Sequence, residues 1–181
     1  MAGPRPAVGF IGMTLDEARR THFFQWFNLA PAGASEGPAV FKPSGANFRD
    51  LVTVSARTDA DERIRMIDLV IARSFIEDPR QGMFAADIAK SFLEAALGPE
   101  DRASMQHLID TIACGGSYAV PILAASAPGR PAPEIVRNSA PHLVWLDKNS
   151  HWRRPSSAAL LEVQNVMAGG VKAVRLAVSA P

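Results

Sequence analysis

Apolar residues recur at helical spacing through the middle of the chain, over residues 59–114. The first of three segments there carries four apolar residues that lie three or four positions apart: Ile64, Ile67, Ile71 and Phe75. Such spacing places side chains on one stripe of a helix. Asp59, followed by Glu62 three positions later, has the pattern of a helix start. We therefore predict a helix that begins after Asp59 and ends near residue 78.

Two further helices are predicted in residues 79–114. One carries a stripe of Phe84, Ile88, Phe92 and Ala95, and the next carries Met105, Leu108 and Ile112. Gly98 and Pro99 separate the two, since glycine commonly follows the end of a helix and proline opens the next one. Gly115 and Gly116 end the last of the three.

The N-terminal region predicts a short strand at residues 7–13 and a helix at residues 15–29. Thr14 stands three positions before Glu17, the spacing of a capping box in which each side chain satisfies a free backbone amide. The far half of this helix is rich in aromatic side chains: Phe23, Phe24, Trp26 and Phe27. All of these except Phe24 share a stripe that would face the core. Core packing is the preferred interpretation, and a groove for a partner or ligand is the alternative.

Alternating and β-branched stretches on either side of the helices predict strands. These strands cover residues 40–42, 51–57, 117–124, 142–147 and 171–179. Pro121 lacks an amide donor and restricts its strand to a sheet edge. A helix from Ser156 or Ser157 to Met167 is predicted before the last strand.

The order of these elements predicts an α+β fold, with a mostly antiparallel sheet and about three to five helices packed on one face. The length of 181 residues and an apolar content of 48% are typical of one globular domain, which would span residues 1–181. Residues 126–141 interrupt the pattern with five prolines and glycines. We predict a Pro-rich loop or arm there, because so long a connection in a compact domain is usually functional or mobile.

Charged residues are distributed unevenly, although the whole chain carries a formal net charge of only +1. Residues 50–110 hold 12 acidic and 7 basic side chains, whereas residues 111–181 hold 3 acidic and 7 basic ones. The acidic middle is interpreted as the solvated faces of the helices, with a bipolar surface that orients a partner as the alternative. The small net charge argues against nucleic-acid binding and membrane-surface attraction, which need a basic excess.

No stretch approaches the roughly 18 continuous apolar residues of a membrane-spanning helix, so no membrane span is expected. The first 13 residues lack the basic start and long apolar core of a signal peptide. We expect a cytoplasmic protein, or a periplasmic or exported one from which a signal peptide has been removed.

Cys114 is the one cysteine in the sequence, which excludes an internal disulfide and a cysteine-based zinc site. It is predicted at the C-terminal end of a helix, where the helix dipole disfavours a thiolate. We therefore expect an inert, buried thiol rather than a nucleophile. The four histidines show no metal-binding spacing, and His142, Asp147 and His151 come nearest to a cluster. No metal and no cofactor are expected.

A group of basic and aromatic residues is the strongest candidate for a binding site: Lys148, Trp152, Arg153 and Arg154. A ring beside two guanidinium groups suits a phosphate, a carboxylate or a stacked base. The alternative is a surface turn in which Trp152 covers the sheet edge. Three cations are too few for a nucleic-acid surface.

The sequence contains the material for a packed α+β domain and little for a reaction. We therefore predict a non-enzymatic binding or protein-interaction domain, whose partner is a protein or a small anionic ligand. The alternative is a small enzyme or ligand carrier with a pocket between the helices and the sheet. A deep cavity with converging polar groups would favour that alternative.

Overall fold

The computed structural model describes residues 9–33, 37–45, 47–113, 140–156 and 158–181. The described strands are β1 (Leu29–Pro31), β2 (Ala39–Pro43), β3 (Val52–Thr58), β4 (Ile64–Ala72), β5 (His151–Pro155), β6 (Leu160–Ala168) and β7 (Val171–Ser179). The described helices are α1 (Leu15–Arg19), α2 (His22–Trp26), α3 (Arg73–Glu77), α4 (Gly82–Ala96), α5 (Pro99–Ala113) and α6 (Ala140–Trp145). The fold is a sheet-dominated α+β arrangement, with more helices than the sequence predicts. Four of the six have only five or six residues.

The seven described strands form one antiparallel sheet in the order β1-β2-β3-β4-β7-β6-β5. Strands β1 to β4 form one meander, and β5 to β7 form a second meander whose last strand pairs with β4. The two meanders thus join in the middle of the sheet, and β1 and β5 are its edges. The prediction of a mostly antiparallel sheet is confirmed.

The two faces of the sheet differ, because successive side chains of a strand point to opposite sides. One apolar row across four neighbouring strands is fully buried: Val54, Leu69, Leu176 and Val163. On the other face, Ser55 Oγ donates a hydrogen bond of 2.6 Å to Asp68 Oδ1, and Arg175 pairs with Asp68 Oδ2 at 3.2 Å. Arg175 also donates to Gln164 Oε1 at 3.2 Å. A polar network therefore crosses the same four strands on this second face.

Residues 64–72 form the strand β4, so the helix predicted there is wrong. β-Branched residues are frequent in this segment, and they favour strands. Ile67 and Ile71 lie four positions apart, an even spacing that also puts them on one face of a strand. Ile64 is fully buried as well, because a β-bulge shifts the register opposite the end of β3. The spacing of these isoleucines therefore fits both structures.

The polar start of that predicted helix is the turn between β3 and β4. Asp59 Oδ1 accepts hydrogen bonds from the amides of Asp61 and Arg63, at 3.1 and 3.0 Å. Aspartate side chains commonly stabilise such turns as well as helix starts. Asp59 therefore stabilises the turn between the two strands instead of capping a helix. The helical conformation begins only at α3, which retains Phe75 as a buried side chain.

Two predictions in the C-terminal third are also wrong. The helix predicted up to Met167 is the strand β6, and the strand predicted at residues 142–147 lies largely in helix α6. Gly169 and Gly170 explain the first difference, because both have positive φ and form a two-residue turn between β6 and β7. Helix α6 depends on side chains that lie far away in the sequence, and a local pattern does not reveal such contacts.

The single N-terminal helix predicted at residues 15–29 is divided into α1 and α2. The predicted capping box is present: the Glu17 amide donates to Thr14 Oγ1 at 3.2 Å, and the Thr14 amide donates to Glu17 Oε2 at 2.7 Å. The bond from the Thr14 amide is the main reason that the pKa of Glu17 is lowered. Thr21 Oγ1 donates to a carbonyl of α1 at 2.6 Å, where the helix breaks. Residues 9–13 form turns and a bridge rather than the predicted strand.

The remaining elements agree with the predictions where they are described. Strands β2, β3 and β7 lie at three of the predicted strands, and α4 and α5 are the second and third helices of the predicted run. Outside the described residues lie Cys114 and the segments 117–124 and 126–139. Within the described part, no helix is both long and apolar enough to cross a membrane.

Helices α2 and α4 meet over a cluster of buried rings: Phe10, Phe23, Phe24 and Phe92. The centroids of Phe10 and Phe24 are 5.8 Å apart with perpendicular rings, and those of Phe23 and Phe92 are 5.7 Å apart. Edge-to-face contacts of this kind stabilise aromatic cores. The cluster holds α2 against α4 and underlies the site described next.

Candidate functional site

A groove with a volume of about 900 Å³ opens between α2, α4 and the connection from β2 to β3. Its larger apolar side chains are Phe23, Trp26, Phe27, Phe48, Phe84 and Ile88. Its polar side chains are Thr21, His22, Asn28, Asp87, Lys90, Ser91 and Glu94. This volume lies within the range of roughly 300–1,000 Å³ that is typical of ligand-binding pockets.

Helix α4 forms the long wall of the groove. Phe84 in its first turn and Ala95 in its last turn both line the groove. With a rise of about 1.5 Å per residue, these positions are roughly 16 Å apart along the helix axis. The residues between them that line the groove recur mostly every three or four positions, so one face of α4 borders it throughout. The groove is therefore elongated rather than round.

Helix α2 contributes Trp26, whose side chain is 71% exposed. Its ring packs against the ring of His22, with centroids 5.3 Å apart and the planes inclined by 35°. Residues four positions apart share a helix face, so His22 and Trp26 face outward while Phe23 and Phe24 are buried. The prediction that Trp26 faces the core and Phe24 does not is therefore wrong, whereas Phe23 is buried as predicted.

Phe84 is 56% exposed, although the sequence placed it in the core stripe of its helix. Ile88 and Phe92 of the same stripe are buried as predicted. The neighbouring Met83 is 76% exposed and does not line the groove. The sequence carries no separate signal for this exposure, because two adjacent large apolar residues in a first helical turn can also both be buried, as Phe23 and Phe24 are in α2.

The charge of the groove is slightly acidic. Asp87, Lys90 and Glu94 are its charged residues, all on α4, and they give a net charge of −1 with His22 neutral. Lys90 Nζ lies 3.9 Å from Glu94 Oε1, a pair at the standard spacing of four residues. Asp87 has no such ion pair within the part of the chain that the structure describes.

The predicted basic and aromatic group is distributed over two sides of the sheet edge. Lys148 is exposed in the turn after α6, and the other three residues belong to the edge strand β5. Trp152 and Arg154 share one face, opposite Val163 and Leu161 of β6, and Trp152 packs against the core. Arg153 lies on the other face and is exposed, with Glu162 as its register partner. The structure thus brings Trp152 and Arg154 to one face but separates them from Arg153, and anion binding there stays a prediction.

A buried arginine, which the sequence did not suggest as important, holds α6 on the sheet. Arg73 Nη2 donates to the carbonyl of Val144 at 3.2 Å, and its guanidinium also donates to the carbonyl of Trp145 and to Asn165 Oδ1. Asn165 Nδ2 donates to the same Val144 carbonyl at 3.0 Å. A cation at the C-terminal end of a helix is stabilising, since free carbonyls gather there.

The same arginine has a lowered pKa because burial disfavours its charge, and the carboxylates of Asp147 and Glu77 act in the opposite direction. Its hydrogen bonds go to groups of the α6 junction, and its Nε lies 3.9 Å from Glu77 Oε1 in its own helix α3, so these contacts join α3 to α6. Its only local sequence signal is its position between apolar residues, Ala72 on one side and Phe75 and Ile76 on the other.

The described residues contain no group of three or more His, Cys, Asp or Glu side chains that is arranged to hold a metal ion. His142 is buried in α6, and His151 lies on β5 with its Nε2 3.5 Å from Glu162 Oε1. The two histidines and Asp147, which the sequence suggested as the nearest approach to a cluster, do not form such a group.

No protein-family model, no curated protein and no solved structure matches this chain significantly. A functional proposal therefore has to rest on the shape, exposure and charge of the described residues.

Proposed function

We propose that the chain is a protein-interaction module that binds a segment of a partner protein in the groove between α2 and α4. The observation that carries this proposal is that two large exposed side chains, Trp26 and Phe84, line the same groove. Exposed apolar surface with a polar rim commonly marks an interaction site. Aromatic side chains are also enriched among the residues that dominate binding energy at interfaces.

The shape of the groove favours a chain segment over a compact small molecule. A length of roughly 16 Å along α4 matches about five residues of an extended peptide or about three turns of a helix. The groove is open along this length, with residues of α2 and of the β2–β3 connection on its other sides. A small apolar molecule is the alternative occupant, since the volume also suits one.

The packing of the core weighs against the hypothesis of a pocket between the helices and the sheet. In the described residues, that region is occupied by buried rings and aliphatic side chains. The groove lies instead on the outer side of the ring cluster, with Phe23 in both. A surface groove above a closed core is typical of a binding module rather than of a carrier that encloses its ligand.

The proposal is tested by selecting peptides from a random twelve-residue display library against the purified chain. Binding of each selected peptide is then compared between the native protein, Phe84→Ser, Trp26→Ser and Met83→Ser. Phe84→Ser and Trp26→Ser should each weaken binding at least about tenfold, a loss of about 1.4 kcal/mol. Met83→Ser is the matched control, because Met83 is similarly exposed beside Phe84 but lies outside the groove.

Equal binding of the selected peptides to all four proteins would contradict the proposal, and so would failure to select any peptide. In the second case, a neutral apolar dye such as Nile red shows whether the groove takes a small molecule. Dye binding to the native protein and to Met83→Ser, but not to Phe84→Ser, would replace the partner segment with a small apolar ligand.

A further inference from the structure

We infer that the partner segment is basic, with a lysine or arginine beside its apolar side chains. The inference rests on the proposed function, because it concerns the occupant of the same groove. Its basis is the charge of the α4 wall, where Asp87 and Glu94 outnumber Lys90.

The ion pair within this wall makes the excess acidic charge available to a partner. Lys90 and Glu94 are 3.9 Å apart and largely compensate each other. Asp87 lies about one helical turn before Lys90 on the groove-lining face and has no ion pair among the described residues. The carboxylate that faces an incoming segment without a partner is therefore that of Asp87.

Covering Asp87 with an apolar segment would remove water from its charge without replacing it. An ionised group that loses water without gaining a partner is strongly unfavourable. A lysine or arginine in the segment would supply the missing charge and a hydrogen-bond donor. An acidic segment would instead have to compete with Glu94 for Lys90 and would leave two carboxylates of the wall close to its own.

Trp26 provides a second contact that favours a cation. Most of its ring is open to solvent, although His22 packs against part of it. Lysine and arginine bind favourably over the face of a tryptophan ring, because the ring face carries negative charge.

The experiment compares two peptides that differ only in charge. Both are acetylated and amidated; one has the sequence Leu-Lys-Leu-Leu-Lys-Leu and the other has glutamate in place of each lysine. Neither contains tryptophan, and Trp26 is the most exposed of the three tryptophans, so intrinsic fluorescence reports binding. The lysine peptide should bind at least about tenfold more tightly than the glutamate peptide at low salt, and this preference should shrink as the salt concentration rises.

Three variants assign the preference to the groove. Asp87→Asn should reduce the preference for the lysine peptide severalfold, and Glu94→Gln should also reduce it, because Lys90 then loses its partner and can pair with Asp87 or with a glutamate of the other peptide. Glu100→Gln is the control, because Glu100 is an exposed acid at the start of α5 that does not line the groove. It should leave the preference unchanged.

Equal binding of the two peptides, or tighter binding of the glutamate peptide, would overturn the inference. So would a preference for the lysine peptide that Asp87→Asn does not change. The proposed function survives these results if Phe84→Ser still abolishes the binding of whichever peptide binds. If neither peptide binds at millimolar concentration, the inference is wrong, and the peptide selection alone decides the proposed function.

Discussion

The two edges of the sheet differ in how a helix covers them. At one edge, α6 packs on β5 and β6, and its Trp145 is completely buried. At the other, α2 packs on β1 and α4, and its Trp26 is 71% exposed. Arg73 and Asn165 close the first edge with hydrogen bonds to the end of α6. The second edge remains open as the groove.

Only some of the aromatic side chains of α2 are exposed at the groove. Helix α2 does have a core to pack against, since Phe23 and Phe24 are buried in the same helix. The chain therefore buries part of the aromatic surface of α2 for stability and leaves the rest in water. The exposed part of a ring does not stabilise the fold, because hydrophobic stabilisation is proportional to the apolar area that is removed from water. The proposed role in binding would account for their position.

Replacing the tryptophan at each edge with alanine should give the largest difference in the free energy of unfolding. Trp145→Ala should reduce the free energy of unfolding by about 3–5 kcal/mol, the usual cost of removing a large buried ring. Trp26→Ala should change it by less than about 0.5 kcal/mol, as is usual for exposed positions. Urea denaturation of the two variants measures both values. Similar losses in the two variants would show that the edges do not differ in this way.

A second pair of substitutions applies the comparison within α4. Phe92→Ala should cost about 3–5 kcal/mol because Phe92 is fully buried among the rings that underlie the groove. Phe84→Ala should cost less than about 0.5 kcal/mol, yet weaken the binding of any groove ligand. Thermal or urea unfolding gives the stability, and the selected peptides give the binding. An unchanged unfolding midpoint for Phe92→Ala would show that this ring is not in the core.

A third pair compares a cation at each edge. Arg73→Met should destabilise by about 1–3 kcal/mol, since the buried carbonyls of Val144 and Trp145 lose donors. The loss is moderated because an apolar side chain avoids the cost of burying the guanidinium. Lys90→Met at the groove should change stability by less than about 0.5 kcal/mol, as for partly exposed ion pairs. Equal stability of Arg73→Met and the native protein would remove Arg73 as the element that holds α6.

A local sequence pattern predicted some elements of the fold correctly and others wrongly. The strand β7 was predictable because its apolar residues recur at every second position, which specifies a strand. The helix α4 was predictable because its apolar residues recur at every third or fourth position over a long segment, which specifies a helix. The spacing of Ile67 and Ile71 does not distinguish a helix from a strand, because residues four positions apart lie on one face of either structure. The strand β4 pairs with β3 just before it and with β7, more than 100 residues later in the chain, and a local pattern does not reveal the second pairing.

The candidate site was less predictable than the fold for a related reason. The sequence shows which residues are aromatic but not which of them a neighbouring element covers, so Trp26 and Phe84 were assigned to the core. Arg73 illustrates the same limit, because two of its partners lie 72 and 92 residues away. Trp26 and Phe27 of the aromatic cluster line a groove, as the alternative interpretation has it, and the binding of a partner there stays a prediction.

The smallest stability effect is expected at the closed edge, for the basic residues of β5. Arg153 and Arg154 are on opposite faces of an edge strand, so one small anion should not contact both side chains. Because neither arginine is buried, Arg153→Ala combined with Arg154→Ala should shift the free energy of unfolding by less than about 0.5 kcal/mol.

If these residues do form the predicted anion site with Lys148 and Trp152, each lost contact should cost on the order of 1.5–3 kcal/mol of binding. Titrations of phosphate, acidic peptides and single-stranded nucleic acid against the native and double-variant proteins measure this loss. Indifference of the double variant to all of them would remove the anion site and leave the groove as the candidate binding surface.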